Sequence, residues 1–386
     1  MNPRFHKYQR VPSHLLLAVS CGLVMSVSCT SDRRLSLAEP EAFRDTIDGS
    51  RVELYTLRNA AGTLITQITN YGGRVVNLYV ADRDGVMGNV VLGFDSLTSY
   101  FAASERFYGA LIGRYGNRIN RGRFELDGTE YELATNNGQN HLHGGVKGFD
   151  RVVWDARQVD DQTLELTYVS PHMEEGYPGT LTARVQYRVT AGPTLEIRYH
   201  ATTDAPTIVN LTHHSFFNLA GAGTGTINAH LLQIAADQYT PVDSGLIPTG
   251  EIARVEGTPM DFTTPMPIGS RLESDFEQLR FGQGYDHNWV LRPASGVRFA
   301  ARVSDPASGR VMEVLTDRPG LQFYGGNFYD GSDTGASGQA HRFRESFALE
   351  AQHFPDSPNH PQFPSTVLRP GEVYEAVCVY AFSVVN

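Results

Sequence analysis

The chain has 386 residues and a formal net charge of −10. An acidic chain without a basic run is not expected to bind nucleic acid, because phosphate contacts need a positively charged surface. Its 38 glycines and 20 prolines are spread along the chain rather than gathered in one linker. This distribution of turn residues predicts an all-β protein.

Residues 1–28 have the layout of a secretory signal peptide, with a basic start and a mostly apolar run from 15 to 27. Ser28 before Cys29 resembles the processing site of a bacterial lipoprotein, with Cys29 as the lipidated residue. Cys21 is a weaker candidate, because the apolar run before it is short. An uncut membrane anchor is the alternative, although the run is short for a membrane span.

This leader predicts a protein that is held by lipid in the bacterial cell envelope, on the periplasmic or the outer-membrane face. Residues 29–45 are then expected to form a tether, and residues 46–386 a single domain. Contact with the membrane is expected only through the lipid anchor, and the domain is expected to be a monomer.

Alternating apolar and polar residues between turn signals predict a series of short strands. Two segments have helical character: a short stretch at 97–106 and an amphipathic stretch at 270–280. The predicted strands include 52–57, 64–69, 75–80, 89–94, 124–126, 129–133, 164–169, 181–189, 195–201, 207–219, 227–235, 297–304, 310–316 and 373–384.

Two glycine-rich segments are predicted to be loops. The first, 113–119, contains Arg118, and the second, 136–145, is also rich in asparagine and contains His141 and His143. Loops of this composition often contain functional residues. Zinc binding by the two histidines is one interpretation, but no cysteine or carboxylate lies beside them to complete a usual ligand set.

The predicted strand at 207–219 contains two adjacent histidines. Because successive side chains of a strand point to opposite faces, His213 and His214 must face opposite ways. The face of His213 is mostly apolar and predicts packing, whereas the face of His214 mixes hydrogen-bonding groups with an aromatic residue. We therefore expect His214 to be the residue with a chemical role.

A late apolar segment, 347–356, contains Glu350. A carboxylate among apolar neighbours is paired, exposed or functional. The sequence contains no nucleophile elbow, phosphate loop or dinucleotide fingerprint. Carboxylate, guanidinium and amide groups together suit a sugar, whose ring could stack on Phe216, Trp289 or Tyr324. An acid–base enzyme acting on sugars is therefore the favoured function.

Six motifs follow one another along the chain: Gly-Asn-Arg-Ile at 116–119, Leu-His-Gly-Gly at 142–145, Asn-Leu-Thr-His-His-Ser-Phe-Phe-Asn-Leu at 210–219, Tyr-Asp-His at 285–287, Gln-Phe-Tyr-Gly-Gly-Asn at 322–327 and Leu-Glu-Ala-Gln-His-Phe-Pro-Asp at 349–356. In this order they resemble the motifs of the aldose 1-epimerases, also called galactose mutarotases. This resemblance covers nearly everything after the signal peptide. It implies a single large antiparallel β-sandwich with a few short helices, and interconversion of the α and β anomers of free hexoses such as galactose and glucose.

The resemblance also implies residue roles, with His214 as the general acid and Glu350 as the general base. It implies no required cofactor or metal, and it leaves a structural calcium ion open. His213 and Gly325 stand where many members have Asn and Thr. The residues that fall on sugar-binding positions are Asn117, Arg118, His143, Asp286 and Gln322.

Three other functions compete with this one. A glycosidase or lyase usually needs two carboxylates across the bond, and here only Glu350 and Asp286 are available. A non-catalytic sugar-binding lipoprotein would not need both His214 and Glu350. A hexose-phosphate epimerase would need additional basic residues near the pocket.

The acid–base roles set an expectation for the two pKa values. Near neutral pH, His214 must hold a proton while Glu350 does not, so the pKa of His214 should stay at or above about 6.5. We expect a nearby carboxylate to favour the charged imidazole more than burial disfavours it.

Overall fold

The computed structural model describes residues 35–385 and the isolated Gln9. The fold described below is that of the compact unit 36–386. The predicted signal peptide, Cys29 and residues 29–34 of the predicted tether lie outside the described residues. Among residues 35–385, no helix is both long enough and apolar enough to cross a membrane.

The described end of the predicted tether packs onto the domain. A 3₁₀ helix at Pro40–Phe43 places Phe43 in the core, where its side chain is fully buried. The side-chain amide of Gln67 hydrogen-bonds both backbone groups of Ala38, over 2.8 and 3.0 Å. Contacts with the domain therefore begin before residue 46.

The described residues are mostly β-strand, as predicted. All pairings between named strands are antiparallel. Most of these strands are short. The strands are β1 Asp45–Ile47, β2 Ser50–Val52, β3 Leu54–Arg58, β4 Leu64–Thr69, β5 Arg74–Ala81, β6 Met87–Asn89, β7 Ala110–Ile112, β8 Arg118–Ile119, β9 Arg123–Leu126, β10 Thr129–Glu132, β11 His141–Leu142, β12 Asp155–Asp160, β13 Thr163–Ser170, β14 Leu181–Val189, β15 Thr194–Thr203, β16 Thr207–Ile208, β17 Thr212–His214, β18 Leu231–Ile234, β19 Gln238–Thr240, β20 Ala253–Arg254, β21 Met266–Pro267, β22 Asp286–Val290, β23 Arg298–Ser304, β24 Arg310–Thr316, β25 Gly320–Tyr324, β26 Asp330–Thr334, β27 Ala340–Arg342, β28 Ala348–Gln352, β29 Val367–Leu368 and β30 Tyr374–Val384.

The largest sheet has nine strands in the order β12-β13-β14-β15-β30-β24-β23-β18-β21. Its central strands alternate between buried and more exposed residues, as expected of a sheet with one face on the core. In β14 the side chains of Leu181, Val185 and Tyr187 are buried, while Arg184 between them is exposed. This sheet therefore forms an outer layer.

A second sheet has five strands in the order β20-β19-β22-β25-β28. Every residue of β25 and β28 is buried, so both faces of these strands are covered. One face packs on the nine-stranded sheet, where the Tyr380 hydroxyl donates to the carbonyl of Leu349 over 3.1 Å. The core thus lies between two sheets, which confirms the predicted β-sandwich. The other face of β28 contains Glu350.

Helices are few and short among the described residues. The α-helices are α1 Leu97–Ala102 and α2 Glu277–Gly282, and the 3₁₀ helices after Pro40–Phe43 are Asn120–Gly122, Phe149–Arg151, Glu174–Gly176, Ile268–Arg271 and Ser357–Asn359.

Both predicted helices are wrong in extent. The helix predicted at 97–106 ends at Ala102, because the Asp333 carboxylate accepts hydrogen bonds from the backbone N–H groups of Ser104 and Glu105. The stretch at 270–280 is not one helix, since Phe276 is extended (φ −135°, ψ 123°) and separates a 3₁₀ turn from α2. Polar residues just before Phe276 favour turns over helix interiors.

Candidate active site

Three neighbouring strands build one wall of the site. The register pairs Gln322 of β25 with Glu350 of β28 on one side and with Asn288 of β22 on the other. Because side chains alternate along a strand, this register places Asp286, Gln322 and Glu350 on the same face of the sheet. Sequence motifs far apart in the chain thus meet through strand pairing.

A short strand brings His214 to the same place. The predicted strand at 207–219 is interrupted, and its middle forms β17, which pairs with β7 and packs beside β28. The Nε2 atom of His214 lies 3.5 Å from Oε1 of Glu350. Their side chains are only 7% and 2% exposed. The structure therefore brings the two residues predicted as acid and base into one buried pair.

The neighbouring histidine faces away from this pair, as predicted. The Nε2 atom of His213 lies 2.7 Å from the hydroxyl of Ser215, and the Tyr187 hydroxyl lies 3.3 Å from its Nδ1. Ser215 and Tyr187 are both buried in the core between the sheets. The alternation of side chains along the strand was therefore enough to distinguish the two histidines.

The expectation for the pKa values is wrong. Burial lowers the pKa of His214 to about 4. The negative charge of Asp286 raises this pKa, but by less than burial lowers it. Burial, and then the charge of Asp286, raise the pKa of Glu350 well above its ordinary value, although Arg118 lowers it. Removing both groups from water disfavours both charged forms. Both shifts therefore favour the neutral form of the ligand-free pair, with its single proton on the carboxyl group.

The loop residues Asn117 and His143 are held together by reciprocal contacts. The backbone N–H of Asn117 donates to Nδ1 of His143 over 3.1 Å, and the N–H of His143 donates to the carbonyl of Asn117 over 3.1 Å. Both residues have left-handed backbone, with φ of 65° and 52°. Such conformations are uncommon outside glycine and cluster at functional sites.

The contact with Asn117 also fixes the tautomer of His143. A backbone N–H can only donate, so Nδ1 of His143 contributes its lone pair. Burial lowers the pKa of His143 well below its ordinary value, so the ring is neutral. Its proton is then on Nε2, which remains as a donor for a ligand oxygen. The rings of His143 and His214 are 5.2 Å apart between centroids.

Asp286 is held by two other predicted residues. Its Oδ1 accepts a hydrogen bond of 2.7 Å from Nε2 of Gln322, and its Oδ2 lies 3.6 Å from Nη1 of Arg118. Arg118 is oriented in turn by Asn137, whose Oδ1 accepts from its Nε over 3.1 Å. Sequence reasoning missed Asn137, although it lies in the Asn- and Gly-rich loop that was identified as functional.

Aromatic rings enclose the pair of His214 and Glu350, but not all of the rings that were predicted. Phe216 and Tyr324 lie 4.6 and 6.4 Å from the ring of His214. Trp289, by contrast, is fully buried in the core and donates to the carbonyl of Met260, so it does not reach the site. Phe107 stacks on His214 at 5.8 Å and had no signal in the sequence.

A metal ion fits this donor set poorly. His143, His214 and Glu350 place ligand atoms within 4.8 Å of one another. However, Nδ1 of His143 already accepts the Asn117 N–H, and Nε2 carries a proton, so this ring offers no free lone pair. His141 is also engaged, through Nδ1 with the carbonyl of Ala134 and through Nε2 with Tyr177.

The buried acceptors that lack a hydrogen-bond partner among the described residues include two on this wall of the site, Oε2 of Glu350 and Oε1 of Gln322. An unsatisfied buried polar atom costs about 1–3 kcal/mol. These acceptors, with the His143 donor and the guanidinium of Arg118, suit a ligand rich in hydroxyl groups. A sugar has this chemistry.

Comparisons with known proteins relate this chain to one family of isomerases. The family model for aldose 1-epimerase matches residues 53–381. The chain is 47% identical over 321 residues to galactose mutarotase of Bos taurus, covering 83% of this chain and 92% of that protein. It is 38% identical over 338 residues to aldose 1-epimerase of Escherichia coli strain K12, covering 87% of this chain and 96% of that protein.

Solved structures agree with this similarity. A crystal structure of an aldose epimerase homologue from C. elegans has a TM-score of 0.80 at 28% identity, covering 87% of this chain and 100% of that chain. Galactose 1-epimerase from Lactobacillus acidophilus NCFM has a TM-score of 0.77 at 29% identity, covering 89% and 97%. With a family model across most of its length and relatives of high identity, the chain belongs to the aldose 1-epimerase family of isomerases.

Proposed function

We propose that this isomerase interconverts the α and β anomers of free hexoses such as glucose and galactose, with Glu350 as the base and His214 as the acid. The observation that carries this assignment is the buried pair, with Nε2 of His214 3.5 Å from Oε1 of Glu350. Anomer exchange needs one group that accepts a proton and one that donates a proton, and this pair supplies both.

Ring opening moves two protons. Glu350 removes the proton of the anomeric hydroxyl while His214 delivers a proton to the ring oxygen, so that the bond between C1 and the ring oxygen breaks and an aldehyde forms. Rotation about the C1–C2 bond presents the other face of the aldehyde, and the reverse transfers close the ring. Each positioned group contributes about a hundredfold to ten-thousandfold in rate. No cofactor enters this sequence.

The resting protonation state adds a step. Because burial keeps the proton of the ligand-free pair on Glu350, that proton must pass to Nε2 of His214 before ring opening. The transfer leaves the net charge of the pair unchanged. Arg118 favours it, because its charge lowers the pKa of Glu350 against the effects of burial and Asp286.

The remaining residues bind and orient the sugar. His143 offers its Nε2–H to a sugar oxygen, and its contact with Asn117 fixes that direction. Asp286 accepts hydrogen bonds from sugar hydroxyls, while Gln322 and Arg118 hold its carboxylate in place. A carboxylate held in this way is not free to act as the second carboxylate of a glycosidase.

The proposed location rests on the sequence alone. The basic start, the apolar run and Cys29 support lipid attachment and a position in the bacterial cell envelope. Metabolic labelling of cells with a radioactive fatty acid tests this. We expect labelled protein from the wild type and none from a Cys29→Ser variant. Label that persists in the variant would exclude Cys29 as the attachment site.

Polarimetry tests the activity. Freshly dissolved α-glucose and α-galactose change their optical rotation slowly in buffer, and the purified protein should accelerate this change in proportion to its concentration. If neither sugar changed faster than in buffer, the proposed function would be wrong. Light scattering on the same sample tests the expected monomer.

A further inference from the structure

The segment 104–107 lies between an open cleft and the proposed acid–base pair. Glu105, Phe107 and Arg118 line the cleft, whose volume is about 880 Å³. Arg118 also contacts Asp286 in the site, and the ring of Phe107 stacks on a histidine of the pair, with 5.8 Å between centroids and 27° between planes. Glu105 is therefore next to the place where the sugar is proposed to bind.

The backbone of this segment is held from two sides. The carboxylate of Asp333 accepts hydrogen bonds from the N–H groups of Ser104 and Glu105 over 2.8 and 3.1 Å. The guanidinium of Arg106 forms two hydrogen bonds with the carboxylate of Asp150, over 2.9 and 2.7 Å. Asp150 is completely buried, which anchors Arg106 to the domain. The position of Glu105 is therefore set by the protein itself.

One oxygen of the Glu105 carboxyl group is free to bind a ligand. Its Oε1 accepts the backbone N–H of Phe107 over 2.9 Å, while its Oε2 has no hydrogen-bond partner among the described residues. Burial raises the pKa of Glu105 to about 7, and the Phe107 N–H lowers it by less. A carboxyl group that has lost hydration without gaining a full set of partners gains from a ligand hydroxyl.

The carboxyl group of Glu105 also lies close to the site. Burial is the main reason that the pKa values of Glu350 and Tyr324 are raised, and the charge of Glu105 raises both further. Such effects weaken with distance. The ring of Tyr324 is 6.4 Å from that of His214 between centroids. Glu105 therefore belongs to the side of the site that Phe107 and Tyr324 form.

The roles of the pair place the C6 hydroxyl of a sugar on this side. His214 is proposed to act on the ring oxygen, and Glu350 on the hydroxyl of C1. In a pyranose the ring oxygen joins C1 to C5, and C5 carries the hydroxymethyl group of C6. Phe107 stacks on His214, whereas Gln322 is paired with Glu350. C6 therefore lies towards Phe107 and Glu105, and the C2 hydroxyl lies towards Gln322.

We propose that Glu105 is a further sugar-binding residue, which hydrogen-bonds the C6 hydroxyl of the substrate through Oε2 and so selects hexoses that carry this hydroxyl. A site built to hydrogen-bond a hydroxyl group discriminates against the analogue that lacks it, because the protein partner is then left without a hydrogen bond. The proposal rests on the proposed function and adds a determinant of substrate choice. It gives Glu105 no role in proton transfer.

Polarimetry of the purified protein with galactose and D-fucose tests this contact, since D-fucose is galactose without the C6 hydroxyl. We expect kcat/KM for galactose to be about tenfold higher than for D-fucose, as a hydrogen bond to a carboxylate contributes about this much. Glu105→Ala should bring this ratio close to one, because the variant has no partner for the C6 hydroxyl. Equal kcat/KM for both sugars in the wild type would refute the contact alone. Absence of turnover with these sugars and with glucose would overturn the proposed function instead.

The ratio separates a substrate contact from a structural role. Glu105 also binds the Phe107 N–H, so its removal can displace the ring that stacks on His214. Such a displacement lowers turnover of both sugars alike. A wild-type ratio in Glu105→Ala, with both rates reduced, would therefore show that Glu105 only positions Phe107. Both rates are measured on one sample, so the ratio does not depend on the folded fraction.

Two further variants complete the test. Glu105→Gln keeps an oxygen for the Phe107 N–H and an amide group for the C6 hydroxyl, so it should retain most of the wild-type ratio. Glu345→Ala is the matched control, because Glu345 is a buried carboxyl group that accepts the Arg342 backbone N–H over 2.7 Å but does not line the cleft. It should keep the wild-type ratio. An equal fall of the ratio in Glu345→Ala and Glu105→Ala would contradict the proposed contact.

Discussion

Nε2 of His214 lies 3.5 Å from Oε1 of Glu350, in surroundings that leave 7% and 2% of the two side chains exposed. Burial lowers the pKa of His214 to about 4 and raises the pKa of Glu350. Both shifts favour a neutral pair that shares one proton. The proposed acid–base catalysis requires that the pair hold one proton, on either residue, and the expected pH dependence follows from this requirement.

The rate should be nearly constant over a broad range of pH. As pH falls through about 4, His214 takes up a proton while Glu350 is still protonated. The pair then holds two protons and contains no base. As pH rises through the raised pKa of Glu350, the pair loses its last proton and has no acid. The acidic and alkaline limbs of the pH–rate profile report the titration of the coupled pair rather than of one residue.

Polarimetry between pH 4 and pH 9, with circular dichroism at each pH to exclude unfolding, measures this profile. We expect kcat not to decrease as pH falls from 7 to 5.5, because the pKa of His214 is about 4. An acidic limb with its midpoint at pH 6 or above, in protein that stays folded, would show that the imidazole keeps its ordinary pKa.

Removing Arg118 should weaken sugar binding. Arg118→Ala deletes the guanidinium 3.6 Å from Asp286 and leaves that buried carboxylate with only Gln322. Hydrogen bonds to charged groups contribute about 1.5–3 kcal/mol, so KM should rise about tenfold to a hundredfold. Arg118→Lys should recover only part of this loss, because Lys lacks the planar fork of Arg.

The matched control for this change is Arg369→Ala. Arg369 also pairs with an aspartate, Asp127, over 2.8 Å, but at the surface. Surface pairs contribute little, so kinetics and stability should stay close to wild type. Steady-state polarimetry with galactose compares the variants. An unchanged KM in Arg118→Ala would remove Arg118 from the binding site.

His143 should bind the sugar by donating a hydrogen bond from Nε2, because its contact with Asn117 fixes this tautomer. A Gln side chain can accept the Asn117 N–H and still donate to a sugar, whereas Ala can do neither. We therefore expect His143→Gln to keep at least about tenfold more kcat/KM than His143→Ala. Nitrogen NMR of the wild type should show a neutral ring protonated on Nε2 at pH 7. Equal activity of both variants would contradict the proposed role.

Local sequence patterns predicted most of the longer strands and the orientation of adjacent side chains, but the strand predicted at 89–94 is wrong, because the chain is strand only at Met87–Asn89 there. The alternation around His213 and His214 needs only the geometry of an extended chain, so the packing face and the polar face could be distinguished without a structure. The turn-rich composition likewise predicted the all-β class. These features depend on neighbours in sequence.

Features set by distant contacts were not predictable in this way. The helix predicted at 97–106 is ended at Ala102 by hydrogen bonds to Asp333, more than two hundred residues away in sequence. The burial of His214 depends on rings such as Phe107 and Phe216, which pack around it only in the folded protein. The direction of its pKa shift could therefore not be read from the sequence.

The buried histidines should make the protein sensitive to acid. Burial is the largest cause in each case, and it lowers their pKa values below the ordinary value of about 6.5. The unfolded chain therefore binds more protons between about pH 6.5 and pH 4, and stability falls as pH falls through this window. The histidines are His141, His214, His230, His287 and His341, with a pKa of about 4, and His213 and His353, with a pKa of about 3.

Urea denaturation at pH 7, 6 and 5 measures this effect. Each histidine contributes a slope of up to about 1.4 kcal/mol per pH unit, so the free energy of unfolding should fall between pH 7 and pH 5. Glu350 and Glu105 act in the opposite direction, because burial raises their pKa values, but they are fewer. His213→Asn should reduce the slope. A free energy of unfolding that stayed constant from pH 7 to pH 5 would contradict this prediction.

The last prediction concerns the acid–base pair itself. Glu350→Gln removes the base but keeps the size and the polar character of the side chain, and His214→Asn removes the acid. Each should lower kcat by about a hundredfold to ten-thousandfold, since a positioned acid or base contributes that much. His213→Asn should lower kcat far less, because His213 contacts Ser215 and Tyr187 in the core rather than the pair.

Polarimetry on the three purified variants decides this, with circular dichroism to check folding. His213 and His214 are adjacent and both buried, so a general loss of stability would affect both variants, whereas loss of the acid affects only one. If His213→Asn were as inactive as Glu350→Gln while His214→Asn stayed near wild type, His214 would not be the acid. Since β17 fixes which histidine faces Glu350, that result would also contradict the register between β17 and β7.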